Sequence, residues 1–126
     1  MENFTIFSNW LNEVLDKNIP TGIKAAFNFN LYEGSEDTYD IELIGSDEFD
    51  EEDQDWACTD FFTTGENLCF IKRTSEIQDW EEGQSYITLL IKRYLEEGTY
   101  RHILKSVEAI GVGFVDGDIE IIYQVN

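Results

Sequence analysis

Residues 110–125 read Ile110-Gly111-Val112-Gly113-Phe114-Val115-Asp116-Gly117-Asp118-Ile119-Glu120-Ile121-Ile122-Tyr123-Gln124-Val125. Ile110, Val112 and Phe114 on one side of Asp116-Gly117, and Ile119, Ile121, Tyr123 and Val125 on the other, recur at every second position. Successive side chains of a strand point to opposite faces, so this period predicts two half-buried strands. Asp-Gly between them predicts a two-residue type I′ turn, whose central residues both need positive φ. The stretch is therefore an antiparallel hairpin. Gly111 and Gly113 lie inside a strand and not at a strand-to-helix junction, and no Gly-Lys-Ser or Gly-Lys-Thr follows, so a phosphate cradle is not indicated. Room for a close neighbour or a bulge is the expected use of those glycines.

The same period runs upstream. Ile23, Ala25, Phe27, Phe29 and Leu31 alternate with Lys24, Ala26, Asn28, Asn30 and Tyr32, and Gly34-Ser35-Glu36-Asp37 supplies a turn. Tyr39, Ile41 and Leu43 then alternate with Asp40 and Glu42 to complete a second hairpin. Trp56–Phe62 and Leu68–Ile71 predict two further strands. Phe4, Phe7, Trp10, Leu11, Val14 and Leu15 have helical spacing instead, over about residues 4–17, and Ile19-Pro20 ends that run because the residue before proline is pushed out of the α region. Asp79-Trp80-Glu81-Glu82 has the form of a capping box and opens a helix with inner residues Ile87, Leu90, Ile91, Tyr94 and Leu95, which stops at Gly98. Thr99 is placed to cap a short helix carrying Ile103, Leu104 and Val107. The element order α-β-β-β-β-α-α-β-β predicts one α+β domain over residues 1–126, a mainly antiparallel sheet of about six strands with helices packed on one face. Core positions are the default for Trp10, Trp56 and Trp80.

The chain is 126 residues long, 42% hydrophobic, and carries a formal charge of -19 from 27 acids and eight bases. It is acidic yet rich enough in large apolar side chains to fold. Direct binding to nucleic acid is disfavoured, because phosphate contacts need clustered Lys and Arg. No apolar run approaches the roughly 20 residues that cross a bilayer, and an anionic membrane surface would repel the chain. Met1-Glu2-Asn3-Phe4 leads straight into an amphipathic segment, which predicts a cytoplasmic protein. In that compartment Cys58 and Cys69 are expected as free thiols.

Between Lys24 and Lys72 there is no base, while fourteen of the 27 acids fall there. Half of those lie in Ser46-Asp47-Glu48-Phe49-Asp50-Glu51-Glu52-Asp53-Gln54-Asp55-Trp56. An EF-hand loop needs oxygen ligands at alternate positions and glycine at the sixth; counting from Asp47, Phe49 stands third and Glu52 sixth, so the pattern fails. No metal, cofactor or catalytic residue is expected, and the sole histidine, His102, reads as a surface or boundary residue. Carboxylates this dense repel one another within a Debye length of about 8 Å, and a cationic partner relieves that repulsion. The stretch is therefore read as a partner-binding surface made of Asp47, Glu48, Phe49, Asp50, Glu51, Glu52, Asp53, Asp55 and Trp56, with the two aromatics as anchors for a basic protein. The competing reading has Phe49 tucked under a solvated loop and Trp56 opening a core strand. A different class is a small enzyme or a ligand- or metal-binding domain, with Glu42 or Asp60 at the rim of a carboxylate-lined pocket between sheet and helices.

A small, strongly acidic α+β chain with an aromatic-flanked acidic loop and a hairpin ending resembles the immunity proteins of bacterial polymorphic toxin systems. The resemblance is one of type and spans the whole chain. It implies a protein that binds a cognate toxin, often a basic nuclease, and blocks its substrate site with carboxylates standing in for phosphates.

Overall fold

Tyr39, Ile41 and Leu43 are all buried, as are Phe27, Phe29 and Leu31 on the neighbouring strand, so the period-two reading carries directly into the core. The computed structural model describes residues 2–17, 25–34, 37–46, 48–50, 52, 60–64, 68–73, 79–115 and 117–125. In chain order these form α1 (Asn3–Lys17), β1 (Ala26–Glu33), β2 (Thr38–Ser46), β3 (Asp60–Thr63), β4 (Cys69–Lys72), α2 (Trp80–Glu97), α3 (Arg101–Leu104), β5 (Ala109–Phe114) and β6 (Glu120–Gln124). The expected α+β order is the observed one.

The six strands fill five lanes. The sheet runs β3-β2-β1-β5-β6, and β4 also pairs with β2. β3 lies against Ile44–Ser46 and β4 against Thr38–Ile41, so the two are consecutive pieces of one edge strand, both antiparallel to β2. Between them Thr64 stays tied to β2, its N–H donating to the Leu43 carbonyl at 3.0 Å and its hydroxyl accepting from the Leu43 N–H at 3.1 Å. At the far end of this edge Asn3 exchanges hydrogen bonds with the Lys72 backbone, accepting from its N–H and donating to its carbonyl. That side chain occupies peptide groups that would otherwise invite another strand.

The strand pairing adds one feature that the expected, mainly antiparallel sheet left open, and corrects one expectation. β1 and β5 run parallel, Ala26 opposite Ala109 through Leu31 opposite Phe114, so the sheet is mixed, although mostly antiparallel. Alternation specifies a strand but not its distant neighbour; here α2 and α3 form the long connection that a parallel return requires. The last hairpin exists, but its turn is not the expected two-residue one. Pairing stops at Val112 opposite Glu120, and a bulge between Ile110 and Gly111 shifts the register. Gly117 lies outside the left-handed region that a type I′ turn demands. The connection instead folds over Gly113, where an added Cβ would come 2.6 Å from the Asp118 carbonyl oxygen.

The main core forms on the helix-covered face, and a small second cluster, Ala26 and Ala109 with Phe49, Ile119 and Ile121, lies on the other. Phe7, Trp10, Leu11, Val14 and Leu15 of α1 and Ile87, Leu90, Ile91, Tyr94 and Leu95 of α2 meet the odd-numbered residues of β1, β2 and β4, together with Ile110 and Val112 of β5. Phe7 sits at the junction, its ring 5.9 Å from Phe29, 6.1 Å from Trp10 and 6.3 Å from Tyr94. Among the described residues no charged side chain is buried. Asp79 caps α2 as expected, its carboxylate accepting from the Glu82 N–H at 2.9 Å. Thr99 does not cap α3; Tyr100 holds that position without a side-chain bond. Gly98 ends α2 in an extended conformation, and glycine is needed there because a Cβ would meet the Tyr94 ring at 2.5 Å.

Gly83 poses a similar steric question inside α2. A Cβ there would lie 2.5 Å from the Tyr39 ring, which is wedged against the helix and carries the Arg73 guanidinium on its face at 4.2 Å. Helix propensity alone favours Gly83→Ala by about 1 kcal/mol. Overpacking against a buried ring costs about 1–3 kcal/mol. The expected result is a lower urea midpoint for Gly83→Ala; a higher midpoint would mean that Tyr39 yields freely.

Candidate functional site

The acidic stretch leaves the end of β2. Of the residues assigned to it, Glu48, Phe49, Asp50 and Glu52 belong to the described structure, whereas Asp47, Glu51, Asp53, Asp55 and Trp56 lie outside it. Glu48, Asp50 and Glu52 are exposed, and Phe49 is half-buried against Ala26 and Ala109, with Ile119 and Ile121 packed on the same pair. The Phe49 ring thus ties the loop to the sheet on the face away from the helices. Two short-range bonds shape the backbone around it: the Glu48 N–H donates to Ser46 Oγ at 3.1 Å, and the Glu52 N–H donates to Asp50 Oδ1 at 2.9 Å. Local side-chain bonds of this kind make a turn without help from a helix or sheet ladder.

That same second face carries a hydrogen-bonded network that the sequence reading did not assemble. Its centre is Glu42. One carboxylate oxygen accepts from Asn30 Nδ2 at 3.1 Å and from the Tyr32 hydroxyl at 2.7 Å, and the other accepts from the Thr63 hydroxyl. Asn28 donates to Asn30 and extends the chain inward; it is 1% exposed, and its own Oδ1 has no partner among the described residues. The register explains the assembly, because Asn30 stands opposite Glu42 and Asn28 opposite Ile44 on one face of the sheet. Glu42 therefore does not rim a pocket between sheet and helices, since it points to the opposite side; the Asp60 side chain lies outside the described residues. The signal was present in the alternation, which puts positions 28, 30, 32, 40 and 42 together once the pairing is known.

The opposite end of the sheet holds an aromatic row. Tyr39 and Phe114 meet edge to face at 5.4 Å, and Phe114 meets Trp80 at 6.2 Å and 85°. Trp80 was expected in the core, and its position continues the inner stripe of α2. It is nevertheless 50% exposed, because the first turn of the helix stands level with the last residues of β1 and β5, where the sheet runs out. A cleft of about 530 Å³ opens there, lined by Leu31, Tyr32, Glu33, Trp80, Phe114, Val115 and Gly117. Trp10 is in the core as expected, and Trp56 lies outside the described residues.

The described histidine and cysteine lie apart from the acidic loop and on separate elements, α3 and β4. His102 is exposed, its ring 6.4 Å from that of Tyr100. No cluster of three potential metal ligands occurs among the described residues. Nor is any described helix long and apolar enough to cross a membrane. Cys69 is a free thiol buried in the core, and Cys58 lies outside the described residues. Burial, with a smaller contribution from the Asp40 carboxylate, pushes the Cys69 thiol up from 9.0 to about 12. A group so placed is a packed hydrophobe and not a nucleophile.

Two measurements check these assignments. The folded chain keeps Cys69 protonated where the unfolded chain ionises it, so the thiol's contribution to stability is intact below pH 9.0 and disappears as the pH climbs towards about 12. The stability gap between the native chain and Cys69→Ala should therefore narrow steadily above pH 9.0; a constant gap would show that the thiol is not desolvated. Glu42→Ala strands three donors and should lower stability by about 2 kcal/mol, with Glu42→Gln losing less because an acceptor remains. Equal loss in both would count against the network.

No family model, no curated protein and no solved structure matches this chain, so the reading of the site rests on its own residues.

Proposed function

We propose that the chain is an acidic, non-enzymatic binding protein of immunity type, acting in the cytoplasm to neutralise a basic partner such as a toxin nuclease. Residues 47–56 form its contact surface. The observation that carries this reading is the anchored loop: Glu48, Asp50 and Glu52 are exposed while Phe49 is packed onto the sheet between them. A loop held by its own aromatic and by two local bonds loses less freedom on binding than a free acidic tail would, and that saving appears as affinity. The net charge of -19 steers a cationic partner from a distance and makes association faster at low salt. In this reading the carboxylates take the place of substrate phosphates at the nuclease's own basic site. Phe49, expected as an anchor for the partner, is packed on the sheet as the competing reading had it, so in this proposal it supports the surface and leaves the contact to the carboxylates.

The test is capture of the product of an adjacent reading frame, or of a basic protein retained from the native cell extract at low salt and released at high salt. The variant Glu48→Gln/Asp50→Asn/Glu52→Gln keeps the shapes and the Asp50 turn acceptor but removes three charges. Its affinity should fall at least tenfold, mainly through slower association, and the salt dependence should flatten. Unchanged affinity would remove this loop from the interface.

A further inference from the structure

We propose that the cleft beside Trp80 is a second contact site, which receives the side chain of one arginine presented by the basic partner. This deepens the reading just given and rests on it for the identity of the partner, although the cation specificity of the cleft can be measured alone.

The cleft combines what a guanidinium needs. Trp80 is the best of the aromatic side chains for cation–π contact, and half of its surface is free at the mouth of the cleft. Phe114 stands edge-on to it and fixes its plane at 85°. Val115 and the accessible part of Phe114 offer apolar wall to the methylene stem of an arginine, over the buried Leu31. Glu33 lies in the same wall, exposed and without an ion pair among the described residues. Trp80 also borders a smaller depression of about 190 Å³, lined by Glu81 and Glu120. Glu33 of β1, Glu81 of α2 and Glu120 of β6 thus line the two depressions that Trp80 borders. The partial positive charge of the α2 N-terminus opposes a cation here, but Asp79, Glu81 and Glu82 in the cap and first turn outweigh it. The aromatic row already accepts one guanidinium at its inner end, where Arg73 lies 4.2 Å over Tyr39. Arginine is favoured over lysine because its planar, weakly hydrated head stacks on an indole while still donating to a carboxylate.

The acidic loop follows the last residue of β2, whereas the cleft lies by the last residues of the antiparallel β1. The two sites therefore stand at opposite ends of the sheet and can be broken separately. The probe is N-acetyl-arginine amide, with its neutral isostere N-acetyl-citrulline amide as control, added to the full chain while the indole N–H resonance of Trp80 is followed by NMR. The resonance is assigned by its loss in Trp80→Phe. Arginine amide should move it saturably and citrulline amide should not. Glu33→Gln should weaken that binding about 2- to 5-fold, and Glu48→Gln/Asp50→Asn/Glu52→Gln should leave it unchanged. No shift, an equal shift from citrulline amide, or indifference to Glu33→Gln overturns the proposal. With the captured partner, Trp80→Ala should cost about tenfold in affinity with the loop intact. If free arginine amide binds but Trp80→Ala holds the partner as tightly as the native chain, the cleft is a small-molecule site and the partner's arginine is excluded. If Trp80→Ala weakens the complex and the loop variant does not, it is the loop assignment that fails.

Discussion

β1 is hydrogen-bonded on both sides, to β2 and to β5, and every side chain along it must therefore belong to one of two faces. That constraint orders the molecule. Phe27, Phe29 and Leu31 meet α1 and α2, while Ala26, Asn28, Asn30 and Tyr32 point the other way. A slip of one residue would exchange the two sets, burying amides and exposing two phenylalanines. Pairing with β2 copies the same partition onto Tyr39, Ile41 and Leu43, and the edge strand repeats it with Cys69 and Ile71. The helices then have a single apolar surface to cover.

Charge follows from this partition. A chain with 27 acids and eight bases cannot pair most of its carboxylates internally, and burying one unpaired costs more than any local contact returns. The described acids accordingly sit at the surface, in helix first turns, or, for Glu42, within a set of neutral donors. Glu42 is informative because three hydrogen bonds from neutral groups hold it half-buried, with no ion pair to it among the described residues. Neutral donors suffice to satisfy the charge, and the long-range field remains unneutralised. The field is thus a property of the whole molecule, while the loop after β2 and the cleft at Trp80 give it two places where shape can add specificity.

Much of the architecture was legible because it depends on nearest neighbours along the chain. Helix α1 and the inner stripe of α2 follow from 3.6-residue spacing, and the Asp79 cap follows from a local side-chain bond to Glu82. The failures share a different origin. Asp116-Gly117 promised a tight turn, yet Gly113 lets the connection fold back on itself, and the register moves to suit. Trp80 sits on the correct helical stripe but beyond the end of the sheet that the stripe covers. Gly98 does stop α2 where the sequence placed the stop, but what requires glycine there is room for the Tyr94 ring. In each case the deciding atom belongs to a residue several positions away, or to another element.

The acidic loop divides in the same manner. Its charge, its lack of bases and its aromatic flanks are composition, readable without any fold. That Phe49 reaches the small Ala26–Ala109 pair depends on β1 and β5 being parallel neighbours, which no local pattern encodes. The sequence by itself determined which residues face the core, where helices start, and how one-sided the charge is, because each is set within a few residues by side-chain period and capping chemistry. Only the tertiary structure decided the parallel pairing, the Glu42 network and the exposed Trp80 cleft, because these arise where segments far apart in the chain are brought to one face or one end of the sheet.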